Sequence, residues 1–99
     1  MQAHQNPKAA EYAQEHLRFL QETRPDVLAD LRRSSDLNSY LSSVGETASD
    51  RFLTLMMQHH NSPEVSSLPY QDRVMSLQSR RHEVDEVIRD ELIYQPLKD

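Results

Sequence analysis

Along most of this chain, apolar side chains recur at steps of three and four residues, the spacing of one face of an α-helix. From about Pro7 to Glu22 the row is Ala9, Tyr12, Ala13, His16, Leu17 and Leu20. A shorter row, Val27, Leu28 and Leu31, predicts a second helix ending at Arg33. Thr23-Arg24-Pro25-Asp26 reads as its capping box, with Asp where Glu or Gln is usual, and Arg32 and Arg33 complement the negative end of its dipole. Asp36 is the expected cap of a third helix over Leu37–His59, on Leu37, Leu41, Val44, Ala48, Phe52, Leu55 and His59. Gly45 lies inside that row and, costing ~1 kcal/mol relative to Ala, marks a candidate break or kink. Asn61 to Leu68 reads as a loop with one helical turn after Pro63. A fourth helix is predicted over Pro69–Tyr94, on Tyr70, Val74, Leu77, Arg81, Val84, Ile88 and Leu92. Its near-heptad spacing favours long, nearly antiparallel packing against another helix.

No stretch alternates strictly between apolar and polar, and the single glycine speaks against a fold rich in tight β-turns. The five prolines sit at the seams between rows, where a missing N–H is tolerated. The fold class expected is all-α, a small bundle or hairpin built on two long helices with shorter helices N-terminal to them. Residues 1–99 form one domain, with residues 1–6 and 95–99 as flexible ends.

Only 36% of the residues are apolar, against roughly 45–50% (counting Gly) in an average domain. So thin a core points to burial completed by a partner or by a second copy of the chain. The net charge of −5 disfavours unspecific binding to nucleic acid or anionic membranes. No cysteine is present, which excludes disulfides and thiolate zinc sites and fits a reducing compartment. With no apolar leader and no run of the ~20 apolar residues that a membrane span needs, the expected location is the cytoplasm.

Candidate chemistry is sparse. His59 and His60 are adjacent, so on a helix they point about 100° apart and do not share a metal readily. No His-Glu-x-x-His occurs, and no Asp or Glu stands three residues before a histidine. His82 and Glu86 at i and i+4 lack a matching pair. One glycine leaves no room for a phosphate-binding loop or a nucleophile elbow. No catalytic, cofactor or metal residues are therefore assigned, and an enzyme is not expected.

Three surfaces remain. Val74, Leu77, Arg81, Val84 and Ile88 form an interface candidate on the seam of the last helix. Arg81 lies between two apolar positions of that seam. It must reach water along its stem, pair with a carboxylate such as Glu46 or Asp50, or mark where a partner begins. Glu83, Glu86, Asp90 and Glu91 form an acidic face whose simplest reading is a solvated surface laced to nearby arginines, and whose alternative reading is a partner site. Arg32 and Arg33 are the nucleic-acid candidates, although Asp26, Asp30 and Asp36 crowd them. Met56, Met57 and Met75 read as core filling, with an adaptable groove as the alternative.

The order of segments also resembles the TnpV family of small transposon-encoded proteins. The likeness is carried by His16 to Pro25, Leu37-Asn38-Ser39-Tyr40-Leu41, Ala48 to Met57 and Val84 to Tyr94. This chain has Leu31-Arg32-Arg33-Ser34-Ser35-Asp36-Leu37 where the family tends to place a glycine turn. It has Arg73-Val74-Met75 where the family tends to place a tryptophan. The resemblance implies a mobile-element protein and brings no catalytic residues with it. The function expected is a non-enzymatic helical accessory or adaptor acting by protein–protein contact or self-association. Alternatives are a small DNA-associated regulator and an inhibitor presenting the acidic helix face.

Overall fold

The computed structural model describes residues 6–94; of the flexible ends expected at 1–6 and 95–99, all but Asn6 lie outside the described residues, and Asn6 is held as the cap of α1. Helix α1 spans Pro7–Thr23, α2 Pro25–Arg33, α3 Leu37–His60, α4 Pro63–Ser66 and α5 Tyr70–Ile88. A π-helical turn, Arg89–Ile93, ends the last helix. The fold is all-α and no strand occurs among the described residues.

Helix α1 starts because Asn6 does two things. Its Oδ1 accepts from the backbone N–H groups of Lys8 and Ala9, at 3.0 and 3.4 Å, and its amide donates to Ser49 Oγ at 2.7 Å. One residue thus caps α1 and ties it to α3. The expected capping box at Thr23–Asp26 does not form. Thr23 is the last residue of α1 and its hydroxyl donates back to the Phe19 carbonyl at 2.7 Å. Asp26 is held by the Arg24 guanidinium at 3.3 Å, which keeps its carboxyl below the ordinary range. Arg24, a one-residue hinge, caps α2 with its backbone alone.

The α2–α3 joint is a Schellman-type closure: Asp36 N–H bonds the Leu31 carbonyl and Ser35 N–H the Arg32 carbonyl. Ser35 stands at φ 65° in the left-handed position, where glycine is the unstrained residue. Asp36 is the N-cap residue of α3 but makes no side-chain cap bond.

Gly45 does not break α3, which runs unbroken for 24 residues. Its role is close approach, because a Cβ there would stand 2.3 Å from the Ala9 carbonyl oxygen and 3.3 Å from Ala13 Cβ. Helices α1 and α3 cross at that point with small residues on both sides.

Paired contacts give the directions. Asn6 meets Ser49 while His16 meets Tyr40, so α1 and α3 are antiparallel. Arg51 meets Glu91 while His59 meets Ser76, so α3 and α5 are antiparallel too. Tyr12 meets Asp85 while Glu15 meets Arg89, so α1 and α5 run parallel. Tyr12, Ala48, Val84, Ile88 and Ile93 form the buried centre. The π turn sets its last member. Tyr94 N–H reaches back to the Arg89 carbonyl at 2.8 Å, so Ile93 rather than Leu92 falls beneath Ile88 and is fully buried.

Candidate functional site

At a rise of 1.5 Å per residue, the 17 residues of α1 cover about 26 Å, whereas α3 is about 36 Å long. Helix α1 begins beside Ser49. The stretch of α3 after residue 50 and the first part of α5 therefore form a bare two-helix hairpin among the described residues. The described chain measures 53 × 31 × 17 Å accordingly.

Where α1 covers the hairpin, it binds α5 through polar groups. Tyr12 Oη donates to Asp85 at 2.6 Å, Lys8 Nζ pairs with the same carboxylate at 2.7 Å, and Arg89 forks onto both oxygens of Glu15 at 2.8 and 3.1 Å. Burial would raise the Asp85 carboxyl, but the bonds from Lys8 and Tyr12 outweigh it and hold the group below its usual value. Burial and the bonded carboxylate push the Tyr12 phenol up. Glu15 fixes the Arg89 guanidinium in its charged form. His16, fully enclosed, faces the Ile93 carbonyl through Nδ1 at 2.8 Å and Tyr40 Oη through Nε2 at 2.7 Å. A carbonyl only accepts, so Nδ1 carries a hydrogen and donates it to Ile93. Each of these groups is engaged by another, and together they tie α1 to α3 and the last helix.

An open cleft of about 640 Å³ lies at the start of α1, lined by Asn6, Pro7, Lys8, Glu11, Arg81, His82, Asp85 and Arg89. Its carboxylates and cations are interleaved, and Lys8 already serves Asp85 and Glu11. Among the described residues no cluster of three or more His, Asp or Glu side chains is placed to hold a metal.

The five candidate interface residues divide. Val84 and Ile88 lie inside the chain's own core, at 1% and 0% exposure. Val74 and Leu77 are half-buried in the bare hairpin, and Arg81 is exposed. The Arg81 guanidinium lies 5.7 Å from the Phe52 ring centroid, over the same ring that Lys8 reaches at 4.6 Å. Arg81 therefore takes the route along its stem to water, and among the described residues no carboxylate pairs with it. Glu83, Glu86, Asp90 and Glu91 are all exposed; Glu83 pairs with Arg80 at 2.9 Å and Glu91 with Arg51 at 3.8 Å. Arg32 and Arg33 are exposed at the end of α2, and Arg33 is bonded to Asp30.

Tyr70 apart, the periodic rows do not pick out the apolar residues that stand in water. Leu53 (57%), Met57 (53%), Tyr70 (71%) and Met75 (65%) are more than half exposed on the bare hairpin, and Val87 (41%) and Tyr94 (45%) are less so at the covered end. Tyr70, on the predicted row of the last helix, opens α5 at the hairpin tip, where α1 does not reach. Leu53 and Met57 continue the row of Gly45 and Ser49 at steps of four, a signal in the sequence that becomes meaningful once α1 is known to lie on that row.

A family model described as transposon-encoded protein TnpV matches residues 1–93. The chain belongs to the TnpV family. No curated protein and no solved structure matches it. Membership makes this TnpV-family chain a mobile-element protein and names no substrate. No helix among the described residues is long and apolar enough to cross a membrane.

Proposed function

We propose that this protein is a non-enzymatic accessory of its mobile element, acting in the cytoplasm through protein–protein contact or self-association. The observation that carries the reading is the bare end of the hairpin, where Leu53, Met57, Tyr70 and Met75 are more than half exposed. Scattered single apolar residues on a surface need no explanation, but a concentration on one segment marks an interaction site. The polar groups, by contrast, are tied to one another between α1 and α5, and this supports a structural role for them. The arginines offered for DNA contact stand among Asp26, Asp30 and Asp36, which supports placing the DNA-regulator reading second.

The test is a pull-down of the other proteins encoded by the element, with tagged wild type and with Leu53→Glu/Met57→Glu, beside a gel shift on duplex DNA at low salt. Retention of a partner, or of untagged copies of the chain, by wild type alone is the expected result. A DNA shift lost on Arg32→Ala/Arg33→Ala, with no protein retained, overturns the reading in favour of a DNA-associated regulator.

A further inference from the structure

Leu53, Met57 and Met75 flank the path that α1 would follow if it were longer. On α3, Gly45 faces Ala9 and Ser49 faces Asn6; two further steps of four reach Leu53 and Met57. On α5, Arg89 faces Glu15 and His82 lines the cleft at the start of α1; one further step of seven reaches Met75. Both rows pass the start of α1 and run on toward the tip. Between them, Phe52, Met56, Val74 and Leu77 are only half-buried. The bare end is thus a shallow trough with apolar rims, continuous with the trough that α1 fills.

We infer that a second copy of this chain occupies the trough, the two bare hairpins packing face to face about a two-fold axis into a four-helix arrangement. The inference rests on the proposed function and names the partner. Its first support is apolar exposure: Leu53, Met57, Tyr70 and Met75 stand 53–71% exposed at this end, and homodimer interfaces draw about 65% of their area from apolar atoms. The second support is self-complementarity, which a two-fold interface requires. A two-fold axis through the middle of the trough lays the tip of each copy beside the start of α1 in the other. The tip carries Glu64 in α4 and Asp72 in the first turn of α5. The start of α1 is flanked by Arg81, which lacks a carboxylate in its own chain among the described residues and stands in a cleft whose other charges are of both signs. Arg81 then meets the carboxylates of the other copy's tip twice, once for each copy. The third support is the residues themselves, since Met57, Met75 and the half-buried Met56 suit a surface that repacks on contact.

The test uses the full chain at 1–500 µM in sedimentation velocity. Wild type is expected as a dimer in the tens of micromolar. Leu53→Glu/Met57→Glu is expected to weaken association by at least roughly 100-fold, since central apolar anchors dominate interfaces, with an unchanged circular dichroism spectrum because both positions are exposed. Arg81→Glu is expected to weaken it by about tenfold, and pairing it with Glu64→Arg to restore much of the loss. The chain lacks cysteine, so single cysteines report proximity cleanly. Under mild oxidation Leu53→Cys or Met75→Cys should cross-link, and Ser43→Cys at the covered end should not. A wild type that stays monomeric at 500 µM overturns the inference, as does a dimer indifferent to Leu53→Glu/Met57→Glu, or cross-linking at Ser43→Cys alone. A monomer that still retains an element-encoded protein overturns only the second copy and leaves the proposed function standing.

Discussion

The two halves of α3 differ in a direction opposite to what hydrophobicity alone predicts. The first half buries Gly45, Ala48 and Ser49, small residues of little or no apolar surface. The second half carries Phe52, Leu53, Leu55, Met56 and Met57, and none of them is fully buried. What separates the halves is α1. Where the third helix lies against the α3–α5 pair, small side chains are sealed because backbones approach closely, down to the Ala9 carbonyl against Gly45. Where it stops, large side chains stand half in water. The small residues are sealed where three helices meet, and Leu53 and Met57 stand exposed where, among the described residues, α1 does not cover α3.

The comparison breaks most visibly in the core. Ile88→Ala, at the three-helix end, should cost about 3–4 kcal/mol, the usual range for a buried large-to-small change. Leu77→Ala in the bare hairpin should cost about half of that or less. Denaturant unfolding at low micromolar concentration measures both, and equal losses would show that the two ends are packed alike. Next in size is Gly45→Ala. The substitution gains ~1 kcal/mol of helix propensity but forces α1 and α3 apart, so a net loss of about 2 kcal/mol is expected. That corresponds to a melting temperature lower by roughly 8–16 °C. A rise in melting temperature would mean that the crossing is looser than its geometry. Ser35→Gly works in the other direction. Relieving a left-handed serine should stabilise by about 1 kcal/mol.

Acidity separates the ends without changing a core residue. The Asp85 carboxyl is lowered in the folded chain relative to its ordinary value of 3.8, so its contribution is present above that pH and is lost as the pH falls through the lower, folded value. Acid should therefore loosen α1 from α5 before it affects the apolar hairpin. Followed by hydrogen exchange, amides of α1 should lose protection as the pH falls toward 3, and Asp85→Asn should flatten the dependence. The smallest expected effect is that of Leu53→Glu. At concentrations where the chain is monomeric, it should change stability by less than about 0.5 kcal/mol. A larger loss would place Leu53 in the fold rather than on its surface.

Most of the fold was legible because α-helices write their faces at steps of three and four. The rows Ala9–Leu20 and Leu37–His59 lie on the inward faces, and proline marks the start of α1, α2 and α4. Local pattern failed where the outcome depends on something distant. Gly45 read as a candidate break or kink because propensity is a property of one helix, whereas the Ala9 carbonyl that requires it belongs to another. Thr23–Asp26 read as a capping box because spacing alone does not reveal that α1 continues through Thr23. Val84 and Ile88 read as an interface, and α1, folding back across the chain, places them in the core. Arg81 was visible as an anomaly on its seam; that its guanidinium would settle over Phe52 was not. Met57 and Met75 read as core filling, with a groove as the alternative, and stand exposed instead; they and Leu53 lie beside the main rows, and a single stripe per helix records only one neighbour.

The turn at Arg89–Ile93 bears on how this chain tolerates changes in length. It holds one residue more than an ordinary helical turn while presenting Ile93 to the core and its carbonyl to His16. Deleting Leu92 would close a regular turn and leave Ile93 beneath Ile88, so this stretch absorbs a one-residue deletion with little disturbance to the interior. The same deletion between Tyr70 and Val84 would rotate every later side chain by about 100° and turn Val84 and Ile88 away from Tyr12 and Ala48. Insertions and deletions among relatives should therefore gather after Ile88 and be scarce before it, a pattern set by helix phase and independent of what the protein binds.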